Sequence, residues 1–88
     1  MTNGTRPTQE QIQAAARDLL APLLGMEAED IDLSRDLPDC GLNSILAVQL
    51  ASGLREKLGI EVPSGLVLRS RTVGELSWAL AAQAPPAA

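Results

Sequence analysis

Residues 39–50 read DCGLNSILAVQL. A short turn, Cys40-Gly41, leads through Leu42, Asn43 and Ser44 into a run with helical spacing. Leu46, Leu50, Leu54 and Leu58 recur every four residues, with Ala47 and Ala51 beside them. Such a row makes one apolar face of a helix, so the pattern predicts a helix over Ser44–Leu58, stopped by Gly59. Its head is open to two readings. Ser and Asn both cap helices by satisfying free backbone donors. If Ser44 caps, it is structural. If Asn43 caps, Ser44 is the first residue inside the helix and its hydroxyl is spare. A phosphate ester there would face free N–H groups and the positive end of the helix dipole.

Working outward, Thr8 with Gln11 spells a capping box for a first helix, and Ile12, Ala16, Leu19, Leu20 and Leu23 form its apolar face. Pro22 is expected to break that register and Gly25 to stop the helix. Residues 25–43 then form a long acidic connection holding Glu27, Glu29, Asp30, Asp32, Asp36 and Asp39, with Ile31, Leu33 and Leu37 spaced to pin it to a core. After Gly59, a turn at residues 62–65 leaves room for a short helix at residues 66–69. Thr72 as cap and Glu75 as its partner announce a last helix, whose core face is Val73, Leu76 and Leu80. The expected fold is all-α: a four-helix bundle with a short third helix and a long loop between helices one and two. Trp78 falls opposite the Leu76/Leu80 face and is expected to cover the loop edge. Residues 1–7 read as a disordered leader, residues 8–83 as the folded domain, and residues 84–88 (APPAA) as a flexible tail.

The 88 residues include no His, one Cys, one Trp and neither Phe nor Tyr, and carry a formal net charge of −4. One small domain with an aliphatic core follows. An acidic chain with seven scattered cations is a poor match for nucleic acid, and its natural partner would be a basic patch on a protein. A lone Cys40 forbids an internal disulfide, and no apolar run reaches membrane-span length or marks a signal peptide; a cytoplasmic protein is expected. Without His there is no Ser-His-Asp or Cys-His site, so no catalytic residue is assigned. Asp30, Asp32, Ser34 and Asp36 alternate like a calcium loop. The required Gly and Glu positions hold Arg35 and Gly41, so no metal is assigned either. Cys40 lacks a nearby base and is read as a small apolar residue tucked under the loop.

GLNSILAVQL at residues 41–50 resembles the phosphopantetheine attachment site of acyl and peptidyl carrier proteins, whose usual core is Gly-x-Asp-Ser-Leu. EVPSGL at residues 61–66 and SRTVGEL at residues 70–76 are similar to that family as well, the latter to its Pro-Thr-Val-x-Glu-Leu start of the last helix. The likeness covers residues 9–82. It implies that a phosphopantetheinyl transferase attaches 4'-phosphopantetheine from coenzyme A to Ser44, and that the arm's thiol holds an acyl cargo as a thioester. Leu42, Asn43, Ile45 and Val48 would border the arm as an exposed recognition surface. Implied partners are that transferase and the acyl-loading, condensing or tailoring enzymes of a synthase, met by a monomer.

Three positions depart from the family pattern. Asn43 replaces Asp, which removes a charge beside the serine while keeping a good cap. Ile45 replaces Leu at equal volume. Arg71 replaces the Pro before Thr72, altering the approach to the last helix. Carriers of dissociated fatty-acid synthesis are strongly acidic along the second helix, whereas Gln49, Ser52 and Arg55 leave this one nearly neutral. The resemblance therefore implies a polyketide-type acyl carrier. The alternatives are a peptidyl or aryl carrier of nonribosomal peptide synthesis, or an unmodified helical interaction domain of the same fold.

Overall fold

A computed structural model describes residues 7–83. The leader and tail expectations fall almost wholly outside the described residues. Among those described, four α-helices follow in order, α1 (Gln9–Leu24), α2 (Ser44–Leu58), α3 (Ser64–Arg69) and α4 (Val73–Gln83). Helix α1 packs on α4 and α2, and α2 packs on α3. The all-α bundle with a short third helix is therefore what the chain forms.

Local chemistry sets the helix limits. Thr8 and Gln11 make the full capping box: the Gln11 amide donates to Thr8 Oγ1 at 3.1 Å, and the Thr8 amide donates to Gln11 Oε1 at 2.8 Å. Helix α1 continues through Pro22 to Leu24. The expected break at Pro22 does not occur. Position 22 lacks the donor for the Asp18 carbonyl, but both residues are exposed and water can take that acceptor. Helix α2 ends at Gly59, whose φ of 67° is a left-handed conformation that favours glycine. Helix α3 starts two residues earlier than its leucines suggest, at Ser64 immediately after Pro63.

Ile12, Ala16 and Leu20 of α1, Leu50 and Leu54 of α2, Val67 of α3, and Val73, Leu76 and Leu80 of α4 meet in one core. Leu46 and Leu58, the two ends of the leucine row, are only half-buried. Gly53 of α2 lies close against Leu19 of α1, since a Cβ there would stand 2.9 Å from Leu19 Cδ2. Ser77 is fully buried and keeps its hydroxyl satisfied by donating to the Gly74 carbonyl at 3.0 Å.

The connection between α1 and α2 contains two 3-10 turns, Ala28–Asp30 and Pro38–Cys40. Ile31 and Leu37 are fully buried in the core and Leu33 packs against it. Two backbone bonds tie the connection to the start of α4: the Leu37 amide donates to the Arg71 carbonyl at 2.7 Å, and the Gly74 amide donates to the Leu33 carbonyl at 2.9 Å. Arg71 adds an ion pair to Asp36 Oδ2 at 2.7 Å. Arg71 thus does more than alter the approach to α4; it fastens that approach to the loop. Glu75 is an offset capping partner, since its carboxylate accepts from the Arg71 amide at 2.8 Å while its own amide donates to Thr72 Oγ1 at 3.0 Å.

Trp78 does not cover the loop edge. It is 62% exposed and lines a surface groove with Leu66, Arg69 and Glu75, between α3 and α4. Its outward helical position was legible; what lies beside it depends on α3.

Candidate functional site at the start of α2

The connection reverses at Gly41, whose φ of 109° favours a residue without a side chain. The Leu37 carbonyl accepts from both Cys40 and Leu42, at 2.9 and 3.1 Å. This fold-back points Leu42 inward, and it is only 9% exposed, a member of the core cluster. The expectation of an exposed Leu42 in the recognition surface is therefore corrected: the residue anchors the segment before the helix from below. Sequence spacing missed this because Leu42 lies outside the helical register that placed the other positions.

Asn43 resolves the two readings of the helix head. It has extended backbone angles and its Oδ1 accepts from the Leu46 amide at 3.0 Å, so Asn43 is the cap. The Ala47 amide closes the first intrahelical bond to the Asn43 carbonyl at 2.8 Å. Ser44 is the first helical residue and is exposed. Capping makes no demand on its hydroxyl. The Ser44 and Ile45 amides are helix-start donors without an intrahelical acceptor, and they lie where the helix dipole is positive. Next to them, Ile45 and Val48 are 70% and 51% exposed. An open hydroxyl, free backbone donors and uncharged neighbours fit a phosphodiester-linked arm.

The acids of the connection do not converge on a cation site. Among the described residues, no group of three or more His, Cys, Asp or Glu side chains could hold a metal ion. Asp36 is committed to Arg71, and the calcium-like spacing therefore loses one of its ligands. Cys40 is half-buried, with its sulfur accepting from Arg35 Nε at 3.1 Å. That hydrogen bond raises the pKa of the exposed Arg35 guanidinium, and Asp30 and Asp32 add to the effect. Cys40 thus sits half-buried in the turn, with Arg35 as a polar neighbour. No helix among the described residues is long and apolar enough to cross a membrane.

The fold is thus a small helical bundle that opens its second helix with an exposed serine not used for capping. The sequence profile described as "Phosphopantetheine attachment site" matches residues 14–80, a span that includes Ser44. The chain belongs to that carrier family, whose cofactor is phosphopantetheine. Among curated relatives, it is 34% identical over 65 residues to Non-reducing polyketide synthase 1 of Elsinoe fawcettii, covering 74% of this chain and 3% of that protein. It is 38% identical over 77 residues to Highly reducing polyketide synthase sdnO of Sordaria araneosa, covering 83% of this chain and 2% of that one. The chain therefore spans only a small fraction of the length of these relatives. Among solved structures, a free-standing peptidyl carrier protein from Acinetobacter baumannii superposes with a TM-score of 0.76 at 25% identity, over 85% of this chain and 94% of the other.

Proposed function

We propose that Ser44 is the attachment serine and that the chain carries acyl intermediates, as thioesters on its phosphopantetheine arm, in polyketide or hybrid natural-product biosynthesis. The observation that carries this reading is the division of labour at the helix head: Asn43 caps, so Ser44 is spare and exposed. The Ser44 hydroxyl is the acceptor when a phosphopantetheinyl transferase moves phosphopantetheine from coenzyme A: the serine oxygen bonds the β-phosphorus and gives up its proton, the pyrophosphate bond breaks, and adenosine 3',5'-bisphosphate leaves. The arm supplies the thiol on which an acyl group is held. Backbone amides at the start of α2 favour the phosphodiester, and Asn43, Ile45 and Val48 border the arm. The polyketide synthases among the relatives support an acyl cargo. The peptidyl carrier among the structural neighbours supports a second reading, a peptidyl or aryl cargo. In either case the chain supplies no catalysis of its own and works with loading, condensing or tailoring enzymes. We assign the folded unit to residues 8–83 and read it as a cytoplasmic monomer.

Incubation with coenzyme A and a transferase, followed by intact mass measurement, tests the reading. Addition of one arm to the wild-type chain and none to Ser44→Ala is expected. No addition to the wild type, or an arm that persists on Ser44→Ala, refutes it; the former outcome would leave an unmodified interaction domain.

A further inference from the structure

The groove between α3 and α4 is a part of the surface that the Ser44 reading leaves unused. Leu66 and Arg69 of α3 and Glu75 and Trp78 of α4 wall it, and Gln9 at the head of α1 lines it too. It encloses about 540 Å³, room for a long side chain. Glu75 stands three residues before Trp78, so the exposed carboxylate and the exposed ring share one face of α4. One Glu75 oxygen accepts from the Arg71 amide, and among the described residues no cation forms an ion pair with it. Arg69 leans back along α3 instead, its Nη1 3.5 Å from where a Cβ on Gly65 would stand. An aromatic face with a free acid beside it is a seat for a guanidinium.

The chain itself supplies one. Residues 1–6 precede Pro7, and their one charged side chain is Arg6. Arg6 is three residues from Gln9, at most about 10 Å of extended chain. A residue before proline is biased towards extended backbone, so the chain leaves the head of α1 without adding a helical turn. We propose that residues 1–6 lie across the groove between α3 and α4, with the Arg6 guanidinium over Trp78 and paired with Glu75. Because the segment is tethered at the rim of the groove, its local concentration is high and a contact of modest strength suffices. Residues 84–88 (APPAA) are the poorer occupant, since they follow the last turn of α4 and bring no charge to Glu75. The segment acts as a strap, and a partner takes the groove only by displacing it. Nothing in this inference depends on the role of Ser44.

Trp78 is the only aromatic residue, so the fluorescence of the unmodified chain reports on this groove alone. The measurement is the acrylamide quenching constant, taken in about 0.05 M NaCl, where a charge pair is little screened. Arg6→Gln is expected to raise the constant at least about 1.5-fold, because the guanidinium no longer covers the ring. Deletion of residues 1–6 should match Arg6→Gln, and deletion of residues 84–88 should leave the wild-type value. Glu75→Gln keeps an acceptor for the Arg71 amide and removes the charge. It should raise the constant in the wild type and add less to Arg6→Gln, since both changes weaken one contact. Raising NaCl to about 0.5 M should move the wild type towards Arg6→Gln and leave that variant where it was. Arg6 lies outside the helices, so the melting curve of Arg6→Gln should match the wild type. A quenching constant unchanged by both Arg6→Gln and the deletion of residues 1–6 overturns the inference. So does a constant that falls with protein concentration equally in wild type and Arg6→Gln, which would seat a second copy of the chain in the groove.

Discussion

Replacing Asn43 asks which of two adjacent polar residues holds the start of α2. In the structure Asn43 Oδ1 accepts from the Leu46 amide at 3.0 Å, and Ser44 already lies within the helix. Removing a capping side chain costs about 1 kcal/mol, within a range of roughly 0.5–2. In a domain of this size, 1 kcal/mol corresponds to a melting shift of about 4–8 °C. Asn43→Ala is therefore expected to lower the melting temperature by about that amount. Asn43→Asp keeps an acceptor in place and should melt within about 2 °C of the wild type, because Asn and Asp cap equally well. Ser44→Ala removes no cap and should also stay near the wild type; Ala has the higher helix propensity. Thermal unfolding by circular dichroism, run on the unmodified chain, gives all three values side by side. The reasoning fails if Ser44→Ala melts as early as Asn43→Ala, or if Asn43→Ala and Asn43→Asp melt together.

Other outcomes follow from the packing. Leu42→Ala should lower stability by about 2–5 kcal/mol in urea titration, whereas Ile45→Ala should stay within about 0.5 kcal/mol, because one side chain is in the core and the other in water. Gly53→Ala meets only the tip of the Leu19 side chain, which can turn aside, and gains about 1 kcal/mol of helix propensity, so it should stay within about 1 kcal/mol of the wild type in the same titration. Arg71→Gln keeps both backbone ties and removes only the ion pair to Asp36, so it should cost no more than about 1 kcal/mol, with the difference from wild type shrinking as salt rises.

The parts legible in the sequence are those decided within a few residues. Thr8 with Gln11, the four-residue leucine row, and the stops at Gly25 and Gly59 involve groups that meet inside one turn of helix, so spacing and side-chain chemistry suffice. Ser44 was legible as an exposed residue for the same reason, once Asn43 takes the cap. Leu42 was not, because its direction comes from the left-handed turn at Gly41 and the shared Leu37 carbonyl, both outside any periodic pattern. Nor was the partnership of Asp36 with Arg71, which joins residues 35 apart in the chain. The passage of α1 through Pro22 shows the limit of a strong local rule: one missing donor at an exposed turn does not outweigh the bonds on either side.

The bonds from Leu37 to Arg71 and from Gly74 to Leu33 also bear on the order of events during synthesis. A nascent chain that ends before Arg71 has every residue of the Ser44 segment and none of the groups near α4 that fasten the preceding connection. Long-range closure of this kind comes late in folding, after local helices have formed. The connection that leads into the serine's helix is thus completed by residues made well after it, and a chain released short of Arg71 would lack both backbone ties and the ion pair that fasten it.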